Sequence, residues 1–357
     1  MCNRTVLALL QLGGIGRKTI LRKIPVRADM EGTPEALSSL LEEARALHRG
    51  IPEYGAAALS DAALKADRIA LECGRLGIRI VTFLDEDYPS LLRRSADPPA
   101  LLYVLGDISF LDEMNTVAVI GTREPSSFGM RTAEKMGRAF AECGFADVSG
   151  LAAGCDTGGH RGCLAAGGKT AAILPCGIGR IYPPENRGLA KEIAEKGGAL
   201  ISEYPPGTEA FQAAFVERDR LQAALSDGLL VIETGLSGGT HFTVRFAEDY
   251  GRIVGCVRHP EAFAKIPEAA GNRMFLSKGR AVPVGNEAEF MEFCGNLREK
   301  RQELRRDGAG YEDAAGPGNA AGQRDTAGTG NAFRQKKAAD TEAYRQLTIE
   351  DLMQNDS

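Results

Sequence analysis

VAVIGTREPSSFG (residues 117–129) and FADVSGLAAGCDTGGHRGCL (residues 145–164), joined by an amphipathic segment, decide the fold of this chain. Each begins with a short run of the kind used by a strand buried on both faces. Each then passes into small and polar residues, Gly121-Thr122-Arg123 in the first and Ser149-Gly150 in the second. In a parallel α/β sheet the ligand crevice lies beyond the carboxyl ends of the strands, where loop N–H groups and helix N-termini meet negative charge. The two turns therefore predict an anion site that reads phosphate.

The same alternation continues downstream. Short apolar runs at 116–120, 146–149, 170–174, 199–202, 228–232, 252–257 and 280–284 are separated by helical patterns. Strand and helix repeated this often predict a doubly wound, mostly parallel α/β sheet covered on both faces. The polar punctuation falls at the strand ends, at Gly121-Thr122-Arg123, Ser149-Gly150, Cys176-Gly177, Ser202-Glu203 and Glu233, so all of it is expected on one edge.

Upstream, LALLQLGGIGRKTILRKI is an apolar helical pattern broken at Gly13-Gly14-Ile15-Gly16, and it resembles a helix-hairpin-helix. In a DNA-binding version the turn would offer N–H groups to a phosphate, with Arg17 and Lys18 supplying charge; the other reading is a tight turn with solvated basic residues. It is not a Walker A loop, because the glycine-to-lysine spacing is wrong and no strand precedes it. These patterns divide the chain into an N-terminal helical domain (1–80), a connector with two short strands (81–115), a main domain (116–300) and a tail (301–357). The tail is rich in Gly, Ala and charged residues, too poor in large apolar ones to offset its ordering entropy, and is predicted to be disordered. Tyr344, Leu347, Ile349 and Leu352 could form one short amphipathic helix within it.

Bulk composition narrows the function classes. Across 357 residues, 43 basic against 48 acidic side chains leave a net charge of −5, which argues against a chain that coats nucleic acid by bulk charge and leaves room for a local basic site. The eight cysteines include no C-x-x-C pair, and no secretory signal precedes them, so they read as reduced thiols in a cytoplasmic protein. No run approaches the roughly 20 apolar residues of a membrane span.

Four groups of residues are candidates for chemistry. Arg123 follows the first strand of the main domain and can grip a phosphate with two parallel hydrogen bonds, the alternative being a salt bridge to a nearby carboxylate. Asp156 and His160, four apart after Ser149-Gly150, share a helix face and invite a catalytic reading, but no nucleophile accompanies them. They are read as a brace, Asp156 capping its helix and His160 bonding a neighbouring loop. Arg218 and Arg220, separated by one residue just before or at a helix start, can face a backbone phosphate. Ser237-Gly238, in the run Glu233-x-x-x-Ser237-Gly238-Gly239-Thr240 ahead of His241 and Arg245, can form a second phosphate nest or a purely structural turn. Cys155, His160 and Cys163 match no common ligand spacing, so no metal, cofactor or catalytic set is predicted.

Together these motifs resemble the DprA/Smf family of DNA-processing proteins. The likeness runs from Tyr88-Pro89 and Pro98 through Gly121-Thr122-Arg123, Gly129, Ser149-Gly150, Gly154, Asp156, His160, Tyr182-Pro183, Ser202-Glu203, Phe215-x-x-Arg218-x-Arg220 and Ser237-Gly238. It implies an extended Rossmann-like domain that binds single-stranded DNA, homodimerises, and hands incoming strands to the RecA recombinase during natural transformation, without catalysis. Carried over by position, Gly121, Thr122, Arg123, Ser149, Gly150, Arg218, Arg220, Ser237 and Gly238 would line the strand-binding pocket. The sequence departs from the family pattern in Asp219, where Asn is usual, in the run from Gly239 to Thr243, around Arg258-His259-Pro260, and in a tail that does not fold as the winged helix many members carry. Two further readings stand beside it. One is a nucleotide or phosphosugar hydrolase on a related sheet, resting on Gly238-Gly239-Thr240, Glu233 and Glu248; the other is an interaction module that senses foreign DNA.

Overall fold

The structure, a computed structural model, describes residues 4–312, and side chains through 306. Nine strands form one sheet: β1 (Arg79–Thr82), β2 (Leu101–Gly106), β3 (Asn115–Ile120), β4 (Phe145–Ser149), β5 (Thr170–Ile173), β6 (Ala199–Ser202), β7 (Gly228–Val231), β8 (Ile253–Val257) and β9 (Val282–Val284). Their order is β1-β2-β6-β5-β4-β3-β7-β8-β9. Every pair from β6 to β9 is parallel, while β1–β2 and β2–β6 are antiparallel. The central strands are buried along their whole length because helices cover both faces, which is why they read as unbroken apolar runs rather than alternating ones.

From β3 the chain steps through β4, β5 and β6 in one direction, then returns to lay β7 on the other side of β3. The topological switch therefore lies between β3 and β7, and the crevice expected there opens beyond Ile120 and Val231.

The connector is more than a connector. Its two strands extend the sheet, with Tyr103 registered against Ser202 and Val81 against Leu102. Without β2 the fully buried β6 would expose a row of unpaired backbone groups, so antiparallel addition closes that edge. The N-terminal helices do not stand apart either. Leu7, Ile20, Leu37 and Leu40 belong to one apolar cluster with Tyr103, Leu174 and Leu200 of the sheet end.

The glycine turn does lie between two helices, Arg4–Leu9 and Arg17–Lys23. Arg17 is committed to Asp97 of the connector at 2.7 Å, and Lys18 sits 3.9 Å from the same carboxylate. At the other end, helix Glu287–Glu312 passes the expected boundary at 300. Leu297 packs in the core beyond β3, and Arg301 is buried against Asp227 at 3.3 Å. The tail segment expected to be disordered, beyond 312, and the helix expected at 344–352 lie outside the described residues. No helix among the described residues is long and apolar enough to cross a membrane.

Candidate functional site

The first helix after β3, Ser127–Glu142, aims its N-terminus at the switch point, the usual seat of a bound phosphate. Here the anion is internal. The Glu233 carboxylate accepts from Ser126 N at 2.7 Å and from Ser126 Oγ at 2.6 Å, and His259 Nε2 lies 3.2 Å away. Gly129 has to be glycine, since a Cβ there would lie 2.2 Å from Glu233 Oε2. Burial opposes ionisation of Glu233, but hydrogen bonds from His259 and Ser126 outweigh it and hold the carboxyl below its ordinary range. The backbone of Thr122 is also engaged, donating to the Glu233 carbonyl at 2.7 Å and accepting from Cys155 N at 3.2 Å. The β3 turn is thus tied to the end of β7 and to the next helix.

The turn after β4 is built around Asp156, in the first turn of helix Cys155–Ala165. Its carboxylate accepts from Gly150 N at 3.0 Å and Ala152 N at 3.4 Å, bracketing Leu151, which is held at φ +57°. Asn186 Nδ2 donates to the Leu151 carbonyl from the far side. Arg218 comes down onto this turn. Its Nη1 lies 3.5 Å from Asp156 Oδ2 and donates to Gln222 Oε1 at 3.0 Å, while its Nε lies 3.4 Å from Asp219 Oδ1.

Above this floor lies a cavity of about 420 Å³, lined by Gly121, Thr122, Arg123, Arg218, Asp219, Ser237, Gly238 and Thr240 among others. Helix Thr240–Asp249 begins at its wall with no side-chain cap, so its positive end faces the opening. A smaller recess of about 120 Å³ adjoins it, lined by Gly150, Tyr182, Pro183 and Glu185, and sharing Arg123, Phe215 and Arg218. Arg123 stands exposed between the two, its guanidinium 5.0 Å from the centre of the Phe215 ring, and it forms no ion pair within 4 Å among the described residues. Tyr182 meets Phe215 edge-on at 5.4 Å, and Phe211 meets Tyr204 likewise. Tyr182, 41% exposed, and the half-buried Phe215 thus set two rings beside the Arg123 guanidinium.

The structure thus brings Gly121, Thr122, Arg123, Gly150, Arg218, Ser237 and Gly238 to one place and leaves two expected residues out. Arg220 points away into the protein, buried and bonded to Glu203 and to the Asp97 carbonyl. Ser149 lies one layer down: its Oγ donates to the Val119 carbonyl at 2.8 Å and accepts from Gln222 Nε2 at 3.3 Å, which supports Arg218 from beneath. His160 is fully buried away from the cavity, with Nδ1 2.7 Å from Thr170 Oγ1 and 3.2 Å from Asp147 Oδ2, and it ties its helix to β4 and β5.

Sequence reading named Tyr182 and Phe215 only as part of the likeness and gave neither ring a place at the site, where both line the cavity wall beside Arg123. It also passed over Asp147, which accepts from Val119 N at 3.1 Å inside the sheet.

Two carboxylates of the floor are shifted upward. Desolvation pushes Asp219 to about 6, opposed by Arg218 and reinforced by Asp156, and desolvation likewise raises Asp156 against the pull of Arg218. The acids on which a hydrolase would rely are otherwise occupied. Glu233 is locked in its helix cap, and Glu248 pairs with Arg280 at 2.6 Å. Among the described residues no group of three or more His, Cys, Asp or Glu is placed to hold a metal ion.

Fold and site together define a doubly wound, Rossmann-like protein with a crevice at its switch point lined by Arg123 and Arg218. The model of the family described as DNA recombination-mediator protein A matches residues 79–295, and the chain belongs to that family. Protein Smf of Synechocystis is 39% identical over 173 residues, covering 48% of this chain and 43% of that protein. DNA processing protein DprA of Bacillus subtilis is 32% identical over 190 residues, covering 53% and 64%. The chain thus spans 43% and 64% of the lengths of these two relatives. Among solved structures, DNA processing protein A of Streptococcus pneumoniae superposes with a TM-score of 0.62 at 25% identity, over 82% of this chain and 98% of that one. The Helicobacter pylori protein, described for its single-stranded DNA binding mode, gives 0.52 at 28% identity, over 64% and 97%.

Proposed function

We propose that this chain binds single-stranded DNA without regard to sequence in the crevice between the β3 turn and helix Thr240–Asp249, and delivers the strand to RecA. The observation that carries the reading is Arg123, exposed, without an ion pair among the described residues, and stacked on Phe215 at the mouth of the cavity. A guanidinium and an uncapped helix N-terminus accept backbone phosphates, and the rings of Tyr182 and Phe215 offer faces on which unpaired bases stack. A duplex hides those base faces, so the arrangement favours single strands. None of these contacts reads a base edge, so sequence preference is weak.

The crevice acts by holding rather than by making bonds: its carboxylates are engaged with backbone N–H groups or with Arg218. Delivery to RecA, assembly as a homodimer and residence in the cytoplasm complete the proposal, supported by membership of a recombination-mediator family. The test is a salt titration of binding to single-stranded and double-stranded DNA, with RecA filament growth followed in the same samples. Preferential, salt-sensitive binding of single strands with faster filament growth is the expected result. Equal affinity for both forms, or release of free base from a nucleoside monophosphate, would overturn it.

A further inference from the structure

The N-terminal glycine turn takes no part in the crevice and has a surface of its own. Residues 17–27, RKTILRKIPVR, hold five basic side chains and no acidic one, in a chain whose net charge is −5. Helix Arg17–Lys23 buries Ile20, and Ile24 at its cap, in the N-terminal core. At about 100° per residue this turns Lys18, Arg22 and Lys23 away from the core, and all three are exposed. Arg17 is bound to Asp97 at 2.7 Å, and Lys18 reaches the same carboxylate only at 3.9 Å. Arg22 and Lys23 form no ion pair among the described residues. Arg27 meets Glu43 at 3.8 Å between two exposed side chains, a contact of little worth.

The turn ahead of these cations is bare. Gly13, Gly14 and Gly16 are all exposed. Gly14 is required by its backbone, at φ +88°. At Gly13 and Gly16 neither common reason for glycine applies, since φ is not left-handed and an added Cβ would meet nothing within 4 Å. A side chain there would fill only the space above the turn, so its absence lets an outside body approach the main chain closely. The turn is also held in place, because the Tyr54 hydroxyl donates to the Gly13 carbonyl at 2.6 Å.

Unpaired cations beside an unobstructed turn suit a sugar-phosphate backbone. Residues 10–27 include no aromatic side chain, so this face has no ring on which an unpaired base could stack. It can meet only the outside of a nucleic acid. A duplex presents that outside, with its bases already stacked within.

We propose that the turn at 13–16 and the side chains of Lys18, Arg22 and Lys23 form a second nucleic-acid site, which takes the phosphate backbone of duplex DNA. Its mooring ties it to the crevice. Asp97, which holds Arg17, also accepts from Arg220 through its carbonyl, and Arg220 lies in helix Gln212–Ala224, which carries Phe215 and Arg218 at the crevice. Resting on the crevice reading above, one molecule then grips a junction, with the single strand in the crevice and the flanking duplex on the N-terminal face.

The test measures binding of the full chain to a single strand, to a blunt duplex, and to the same strand carrying a duplex flank, across a range of salt. The flanked strand should bind several-fold more tightly than the bare strand, and the blunt duplex more weakly than either. Arg22→Ala combined with Lys23→Ala should abolish the gain from the flank and lower the salt slope on duplex by about 2. Bare-strand affinity and the unfolding midpoint should not change. Arg22→Lys combined with Lys23→Arg should keep the gain, and Gly13→Gln, which adds bulk without charge, should reduce it. Three results would overturn the proposal: no gain from the flank, an equal loss on the bare strand, or an equal loss from Arg68→Ala combined with Arg75→Ala on helix Ala56–Arg75, which would point to bulk charge. The blunt-duplex arm does not depend on the crevice. Arg123→Ala should weaken the bare strand and leave the duplex as it was, so failure of either site is seen separately.

Discussion

Arg218 places its guanidinium where any side chain at residue 150 would begin: a Cβ on Gly150 would lie 1.1 Å from Arg218 Nη1. Gly150 also donates its N–H to the carboxylate of Asp156, which lies 3.5 Å from Arg218. The glycine, the acid and the base thus form one unit, in which the absence of a side chain lets a buried cation reach the cavity wall. Gly150→Ala should expel the guanidinium and destabilise the protein by about 1–3 kcal/mol, the usual penalty of overpacking. Denaturant unfolding measures the loss. A variant as stable as the parent, with unchanged DNA affinity, would show that Arg218 has other room.

Arg123 and Arg220 separate binding from stability. Arg123 stacks on a half-buried ring and forms no ion pair among the described residues, so Arg123→Ala should leave unfolding nearly unchanged. It should weaken single-stranded DNA binding and reduce the salt slope by about 1. Arg220 neutralises Glu203, whose side chain is 13% exposed. Its removal strands that charge, with a stability loss of about 3–5 kcal/mol. Affinity measured on the folded fraction should change little. The opposite pattern would return Arg220 to the crevice.

The contrast between Arg218 and Arg220 shows where sequence reading reaches its limit. From β3 to β8 the strands are legible because nearly all their residues are buried and each reads as an apolar run, whereas β9 is largely exposed. The edge on which Arg123 and Gly150 meet followed from that pattern. The two arginines read as a pair only if they lie in a loop, but both lie inside helix Gln212–Ala224. Residues two apart on a helix point roughly 200° from each other, so one faces the crevice and the other the connector. Whether β1 and β2 join the sheet depends on the open edge of β6, a long-range need that no local pattern announces. The place of Phe215 beneath Arg123 was hidden for another reason, since a phenylalanine is most often a core residue.

Glu233 stands in for a phosphate at the N-terminus of helix Ser127–Glu142, and its carboxyl is held below the ordinary range. The sign follows: its contribution is fully present above the unfolded value near 4.5 and is lost as pH falls through the lower folded value. Glu233→Gln should cost about 1.5–3 kcal/mol near neutrality, the worth of a hydrogen bond to a charged group. The difference from the parent should shrink in acid. Unfolding midpoints between pH 7 and pH 3 check both statements, and a pH-independent difference would mean that the charge at this cap contributes nothing.

Asp219 works in the opposite direction. Desolvation raises it from 3.8 to about 6, with Arg218 opposing and Asp156 reinforcing, while it lines the cavity where a phosphate is proposed to sit. A raised folded pKa means that the stabilising effect is complete below the unfolded value and is lost as pH rises through about 6. Between pH 4 and pH 7 the parent should therefore lose stability that Asp219→Asn retains. Binding follows the same sign. Ionised Asp219 offsets Arg218 and repels phosphate, so affinity for single strands should fall as pH rises through 6, more steeply than in Asp219→Asn. At pH 7 the variant should bind on the order of tenfold more tightly, as expected for removing one unit charge several ångströms away in a partly desolvated site. At pH 5, with the carboxyl protonated in the parent, the two should converge. Equal affinities at pH 7 would place the bound strand away from Asp219, and with it away from the floor formed by Arg218 and Asp156.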